Sequence, residues 1–186
     1  MPRLVLRRPR LQDEAELLRA HRATSPDLPS FLHLYQDGMP MARYLEVLDA
    51  RERGEHLGVG QVPATFLFAF VGPRIVGRVS LRHVLTPPLE RIAGHIGYAV
   101  VPEFRRRGHA TEMLRQALRI ARRQLGLARV LVTCDDDNVA SIRVIEKNGG
   151  VLENIVEGTD LHVAKRRYWI DTPPPRGGRR AITRVT

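Results

Sequence analysis

The chain has 186 residues, of which 43% are hydrophobic and 27% charged, a composition that fits one globular domain with an ordinary core and excludes disordered and collagen-like chains. No stretch approaches the roughly 18 to 20 apolar residues of a membrane span, and Met-Pro-Arg-Leu-Val-Leu-Arg-Arg lacks the apolar region of a signal peptide, so a cytoplasmic protein without membrane contact is expected. The single cysteine, Cys134, excludes an internal disulfide and a thiolate metal site, and the formal charge of +10 leaves three readings open: nucleic-acid affinity, attraction to an anionic cofactor, or a solvated Arg-rich surface.

Leu4-Val5-Leu6 reads as a short strand, and Leu11, Ala15, Leu18 and Ala23 then recur at helical spacing. Residues 25–40 hold three prolines and an Asp-Gly, which predicts an irregular connection able to line a pocket. Helical spacing resumes from Met41 to Arg53 and stops at Gly54. Ala64 to Val71 and Ile75 to Leu85 predict a hairpin turned at Gly72-Pro73-Arg74. In its second arm Val79, Leu81, His83 and Leu85 alternate with Arg78, Ser80, Arg82 and Val84, which predicts one apolar and one mostly polar face. A third strand runs from about Gly94 to Val101, where Pro102 ends it.

The clearest amphipathic helix follows, with Ala110, Met113, Leu114, Ala117, Leu118, Ala121 and Leu125 on one face and arginines elsewhere, closed by Gly126. Arg129 to Thr133 is an apolar strand, and Asn138 is suited to cap a helix carrying Val139, Ile142 and Ile145 as far as Gly149-Gly150. Val151 to Val156 and Leu161 to Ile170 predict two closing strands joined at Gly158-Thr159-Asp160. Residues 1–171 thus read as a single domain, and residues 172–186, with four arginines and no acids, as a basic mobile tail.

Chemistry concentrates between Val100 and Thr111. Arg105 to Thr111 joins a strand to an amphipathic helix through Gly108 and Ala110, a turn that presents unpaired backbone N–H groups and a partial positive charge to a phosphate or pyrophosphate. Glycine at 108 lets a ligand approach the backbone, and Arg105, Arg106 and Arg107 add attraction and bidentate donors. Residues 103–123 hold seven arginines against two glutamates, so much of the excess charge sits here.

The spacing Arg105-x-x-Gly108-x-Ala110 resembles the cofactor signature of the GNAT acetyltransferases. The preceding strand and the later Asn138-x-x-Ser141 through Lys147-x-Gly149 helix are similar to theirs, as is the order of elements from Leu4 to Ile170. The resemblance implies an α/β GNAT fold, a central mixed, mostly antiparallel sheet of about seven strands flanked by helices and splayed to admit acetyl-CoA. It implies that the edges of Tyr98, Ala99, Val100 and Val101 pair with the pantetheine amides. It also implies that the amides of Arg106, Arg107, Gly108, His109 and Ala110 bind pyrophosphate, with Arg105 and Thr111 flanking them, and that Asn138 and Ser141 lie near the thiol. The implied reaction is direct attack of a small-molecule or peptide amine on the thioester, with acetyl-CoA as cosubstrate and no metal. A homodimer fits the family habit.

One departure stands out: where family members often carry a tyrosine acid seven residues after the asparagine, this chain has Ile145. His95 occupies a place similar to that of the family's basic glutamate, and an imidazole accepts a proton near neutral pH, so His95 is the expected general base, the alternative being a packed strand histidine. His109 reads as a variable loop position, Cys134 as a packing residue, Asp135-Asp136-Asp137 as a charged loop rather than metal ligands, and Tyr168-Trp169 as either substrate-facing or core. A basic nucleic-acid-binding module is the competing class. It accounts for the charge, but no aromatic residue lies between 105 and 123 to stack on bases, so no specific nucleic-acid partner is expected. A non-catalytic acyl-CoA-binding domain is the third reading.

Overall fold

The computed structural model describes residues 3–25, 31–158 and 163–174. Seven strands form two sheets, a four-stranded one in the order β1-β2-β3-β4 and a three-stranded one in the order β5-β7-β6, and every strand pairing within them is antiparallel. The strands are β1 (Leu4–Arg7), β2 (Ala64–Val71), β3 (Arg74–Arg82), β4 (Ile96–Val100), β5 (Arg129–Asp135), β6 (Val151–Val156) and β7 (Lys165–Asp171). The helices are α1 (Glu14–Thr24), α2 (Met41–Arg53), α3 (Pro87–Ile92), α4 (His109–Leu125) and α5 (Val139–Lys147).

β2 is buried almost throughout because helices cover both faces of its sheet. With a side-chain period of two, Phe66, Phe68 and Phe70 meet Leu17 and Ala20 of α1 and Met41, Tyr44 and Leu48 of α2, while Leu67 and Ala69 turn to Met113, Leu114 and Ala117 of α4. The α4 cluster continues onto Val130 and Val132 of β5 and Tyr168 and Ile170 of β7, so one helix seats both sheets. α2 ends where Gly54 adopts φ +81°, and α4 ends at Gly126 with φ +68°.

Three expectations change. The second arm of the hairpin stops at Arg82, three residues short of Leu85, and the following segment forms α3, where Thr86 precedes Pro87 and Pro88. Proline at the first helical positions pre-sets φ and loses no needed N–H, a start signal that the double proline carried. The supposed polar face of β3 is not solvated: Ser80 is buried and Arg78 and Arg82 are only partly exposed. Finally, β7 starts at Lys165, and Thr172 belongs to the packed domain, since its hydroxyl donates to Leu127 O (2.6 Å) and its N–H to Ala128 O (2.9 Å). The turn at 159–160, the start proposed at 161–162 and the tail from 175 lie outside the described residues.

The two sheets join between β4 and β5 at one isolated bridge, Gly94 to Val132. Beside it the His95 N–H donates to Leu131 O (2.7 Å), and the Leu131 N–H donates to Nδ1 of the His95 ring (3.0 Å). Beyond this point, among the described residues, β4 has no strand on its second side. Gly94 has φ +67°, and a Cβ there would stand 2.5 Å from Leu131 O. Gly94→Ala should therefore cost about 2 to 4 kcal/mol, whereas Gly72→Ala, at φ +59° with nothing within 4 Å, should cost only the left-handed penalty of about 1 kcal/mol. Urea unfolding of both variants checks this; equal losses would mean that close approach at the bridge is not what Gly94 serves.

Candidate functional site

The open side of β4 leads into a cleft of about 490 Å³ between β4, the start of α4 and the start of α5. Val101 N–H donates to Val76 O of β3, so alternation along the strand directs the N–H and C=O of Tyr98 and Val100 away from β3, toward the splay. Pro102 opens a single 3-10 turn through Phe104, and the chain then enters the left-handed region at Arg106 (φ +59°) and at Gly108 (φ +79°) before α4 begins at His109.

The first protein hydrogen bond of this helix is Glu112 N–H to Gly108 O, and no N–H from Arg106 to Thr111 donates to an acceptor among the described residues. Left-handed turns before a helix gather such donors into a concavity suited to an anion, and the partial positive charge of a 17-residue helix adds to it. No Cβ is present at Gly108 and no atom lies within 4 Å of where one would be, so the backbone there is open to approach.

Local acids do not compete for this concavity. Glu103 is turned to Arg19 (2.7 Å) and Arg74 (3.4 Å), and Glu112 is held by Arg115 and by Gln116 Nε2. Arg107 lies over the Phe104 ring at 5.6 Å, and Arg105 Nε donates to Val100 O (3.3 Å).

The cleft gathers most of the residues singled out in the sequence. Tyr98, Ala99 and Val100 line it from β4; Arg105, Arg106 and Gly108 from the loop; His109 and Ala110 from α4; Asn138 and Ser141 from α5. Val101 is fully buried, and Arg107 and Thr111 lie beside the lining rather than in it. Thr24, Phe104 and Ala140 line the cleft without having been anticipated; Phe104 alone had a signal, as the apolar residue embedded in the charged Pro-Glu-Phe-Arg run. Asn138 caps α5 as its residue type predicts, Oδ1 accepting from Ser141 N–H (3.0 Å), and the Tyr98 hydroxyl donates to Ser141 O (3.4 Å). Burial pushes the Tyr98 phenol up to about 12 and the Cys134 thiol up to about 11, so both stay protonated at neutral pH.

His95 sits at the bridge, outside this lining. Because Nδ1 accepts from Leu131 N–H, the neutral ring carries its proton on Nε2, and neither nitrogen has a lone pair free for an incoming proton. Burial lowers its pKa as well. Ile145 is fully buried in the core, and no hydroxyl stands in its place. Asp135 pairs with Lys165 and Asp136 with Arg166 (2.6 Å), so two of the three aspartates in the acidic run are neutralised by β7. Tyr168 is core, while Trp169 lies under Arg129 at 4.1 Å.

Residues 3–151 match the family model described as "Acetyltransferase (GNAT) domain". Among solved structures, a microcin C7 self-immunity acetyltransferase crystallised with acetyl-CoA and AMP is 18% identical, covering 90% of this chain and 92% of its own, with a TM-score of 0.65. A ribosomal L7/L12 alpha-N-protein acetyltransferase in complex with coenzyme A is 19% identical over 91% and 96%, also at 0.65. The ribosomal-protein-S5-alanine acetyltransferase of Vibrio fischeri is 14% identical over 92% and 94%, at 0.67. A sequence comparison with curated proteins returns no match.

Burial lowers the pKa of five histidines, His21, His33, His83, His95 and His109, and brings His33 to about 4. Folded pKa values below the unfolded 6.5 mean that the unfolded chain binds more protons as pH falls through 6.5, so stability should be constant above it and decline from pH 6.5 toward 4. Melting temperatures between pH 8 and 4.5 test the sign, and His33→Gln should flatten the decline. A maximum near pH 5 would contradict it.

Proposed function

Because the chain belongs to the GNAT acetyltransferase family, we propose that its cleft binds acetyl-CoA and that the protein moves the acetyl group to a primary amine. The observation that carries this reading is the run of unpaired amides from Arg106 to Thr111, set at the start of α4 beside the open edge of β4. That pairing suits one elongated ligand with an anionic part and an amide-bearing part: the diphosphate meets the helix start, and the pantetheine amides meet Tyr98 and Val100. Bound acetyl-CoA supplies the thioester carbon. The amine nitrogen forms a bond to that carbon, the C–S bond breaks, and one amine proton ends on the departing thiol. Arg105 and Arg106 line the cleft and balance the phosphate charge; Asn138, through its cap, holds the first turn of α5 against the opposite wall.

Acetyl-CoA at about 100 times its Kd should stabilise the protein by roughly 2.7 kcal/mol. Gly108→Ala, which adds a Cβ to the open backbone at φ +79°, should weaken acetyl-CoA at least tenfold while costing the fold about 1 to 2 kcal/mol. Thermal shift with acetyl-CoA, followed by thiol release across a panel of amines, checks both; no shift with wild-type protein would end the reading.

The geometry around His95 favours a different role from general base: it holds β4 against β5 and so sets the register of the strand that faces the cofactor. His95→Ala strips the Leu131 N–H of its buried acceptor and should cost about 1 to 3 kcal/mol of stability. The pH profile of kcat/KM in the folded variant should keep its shape. Disappearance of an ionisation from that profile would restore the base assignment.

A further inference from the structure

A second cavity, of about 350 Å³, adjoins the far side of β3, and its lining is cationic: Arg78 and Arg82 from β3, Arg51 from α2, with Ser80 between the first two and His33 stacked on Phe66 at 5.1 Å. Several arginines of this protein meet carboxylates, as Arg7 does Asp13 (2.7 Å) and Arg8 does Glu52. These three do not. Among the described residues Arg82 donates to the Gly94 carbonyl (3.0 Å) and Arg51 to Gln61, no carboxylate faces any of the three, and the Nε atoms of Arg78 and Arg51 are buried without an acceptor. Burying a guanidinium unpaired is costly, and placing three around one cavity adds mutual repulsion. Among the described residues no acid lines the cavity to offset that cost. A ligand with a compact negative charge and several acceptor oxygens would offset it, and the planar guanidinium is the group best matched to such oxygens.

The cavity and the donor cleft are neighbours across β3 and β4, since Arg78, which lines the first, is the cross-strand partner of Ala99, which lines the second. Ser80 is the cross-strand partner of Gly97, and Gly97 and Ala99 share a face of β4, Ala99 lining the donor cleft. A Cβ at Gly97 would come within 3.0 Å of Ser80 Oγ, so glycine there avoids crowding the serine that lies between Arg78 and Arg82. We propose that this arginine cavity is the acceptor subsite and that it selects amines carrying a carboxylate or phosphate, gripped by Arg78 with Arg51 and Arg82. The proposal rests on the acetyl-transfer reading above and names the substrate class for it.

Matched acceptors test the selection: a glutamate-bearing against the corresponding glutamine-bearing dipeptide, and O-phosphoethanolamine against ethanolamine, followed by thiol release. At least one anionic member should exceed its neutral twin tenfold or more in kcat/KM, the two pairs separating carboxylate from phosphate, and Arg78→Met should bring that ratio below about two. Arg51→Met, on the half-exposed rim, serves the same purpose should Arg78→Met fail to fold. In parallel, inorganic phosphate added to protein saturated with coenzyme A should move the NMR titration midpoint of His33 up by one pH unit or more, since burial and then the three arginines hold its pKa down and an anion among the arginines offsets their part. Equal use of both twins in both pairs, an unmoved His33, or an equal loss for both twins in Arg78→Met overturns the proposal. Acetyl-CoA stabilisation is read on the same samples: if it persists while these outcomes fail, the acceptor subsite is wrong and the donor reading stands; if it is absent, the donor reading itself has failed.

Discussion

Two sheets in this protein are held together at a point, not along a seam. At that point the backbone of Gly94 passes so near Leu131 O that no side chain fits, and the imidazole of His95 accepts the Leu131 N–H that no strand carbonyl reaches. Were β4 to pair with β5 along its length, the hydrogen-bonding groups of Tyr98 and Val100 would be consumed by the sheet and the cleft would close. Were the bridge absent, the halves would be related by the packing of α4 and by a few side-chain hydrogen bonds, such as Arg167 Nε to Glu90 O and Tyr98 to Ser141 O. The bridge therefore sets both how wide the opening is and which atoms line it.

α4 is the second half of that arrangement. Its buried face, Met113 through Ala121, packs on both sheets, and this fixes the direction of its axis. Its start consequently lands at the mouth of the splay, where the left-handed turns at Arg106 and Gly108 leave the first amides open. Packing at one end of the helix thus determines electrostatics at the other.

Much of this was legible in the sequence wherever a local rule operated. Gly54 and Gly126 marked helix ends because left-handed caps favour glycine, Asn138 marked a helix start because its side chain reaches the N–H three residues on, and the 3.6-residue period of α4 was unambiguous. What escaped was decided by tertiary contact. Alternation in β3 located its two faces but not what covers the polar one, which depends on residues 33 and 51, far away in sequence, coming to lie over it. His95 was read from its residue type and position, which do not reveal that its ring accepts a backbone N–H thirty-six residues on. Thr24 and Phe104 reach the cleft only through the packing of α1 on β3 and the single turn after Pro102.

The two cavities are built from different materials. One is lined at the start of α4 by open peptide N–H groups, which any residue except proline supplies; the other presents guanidinium groups, which depend on the identity of Arg51, Arg78 and Arg82. Random substitution therefore falls unequally on them: the first survives most changes outside Gly108, while in the second a single base change can delete a guanidinium and leave the scaffold in place. The backbone-lined cavity would keep its chemistry through long sequence drift, while the arginine-lined one would change its charge and shape quickly.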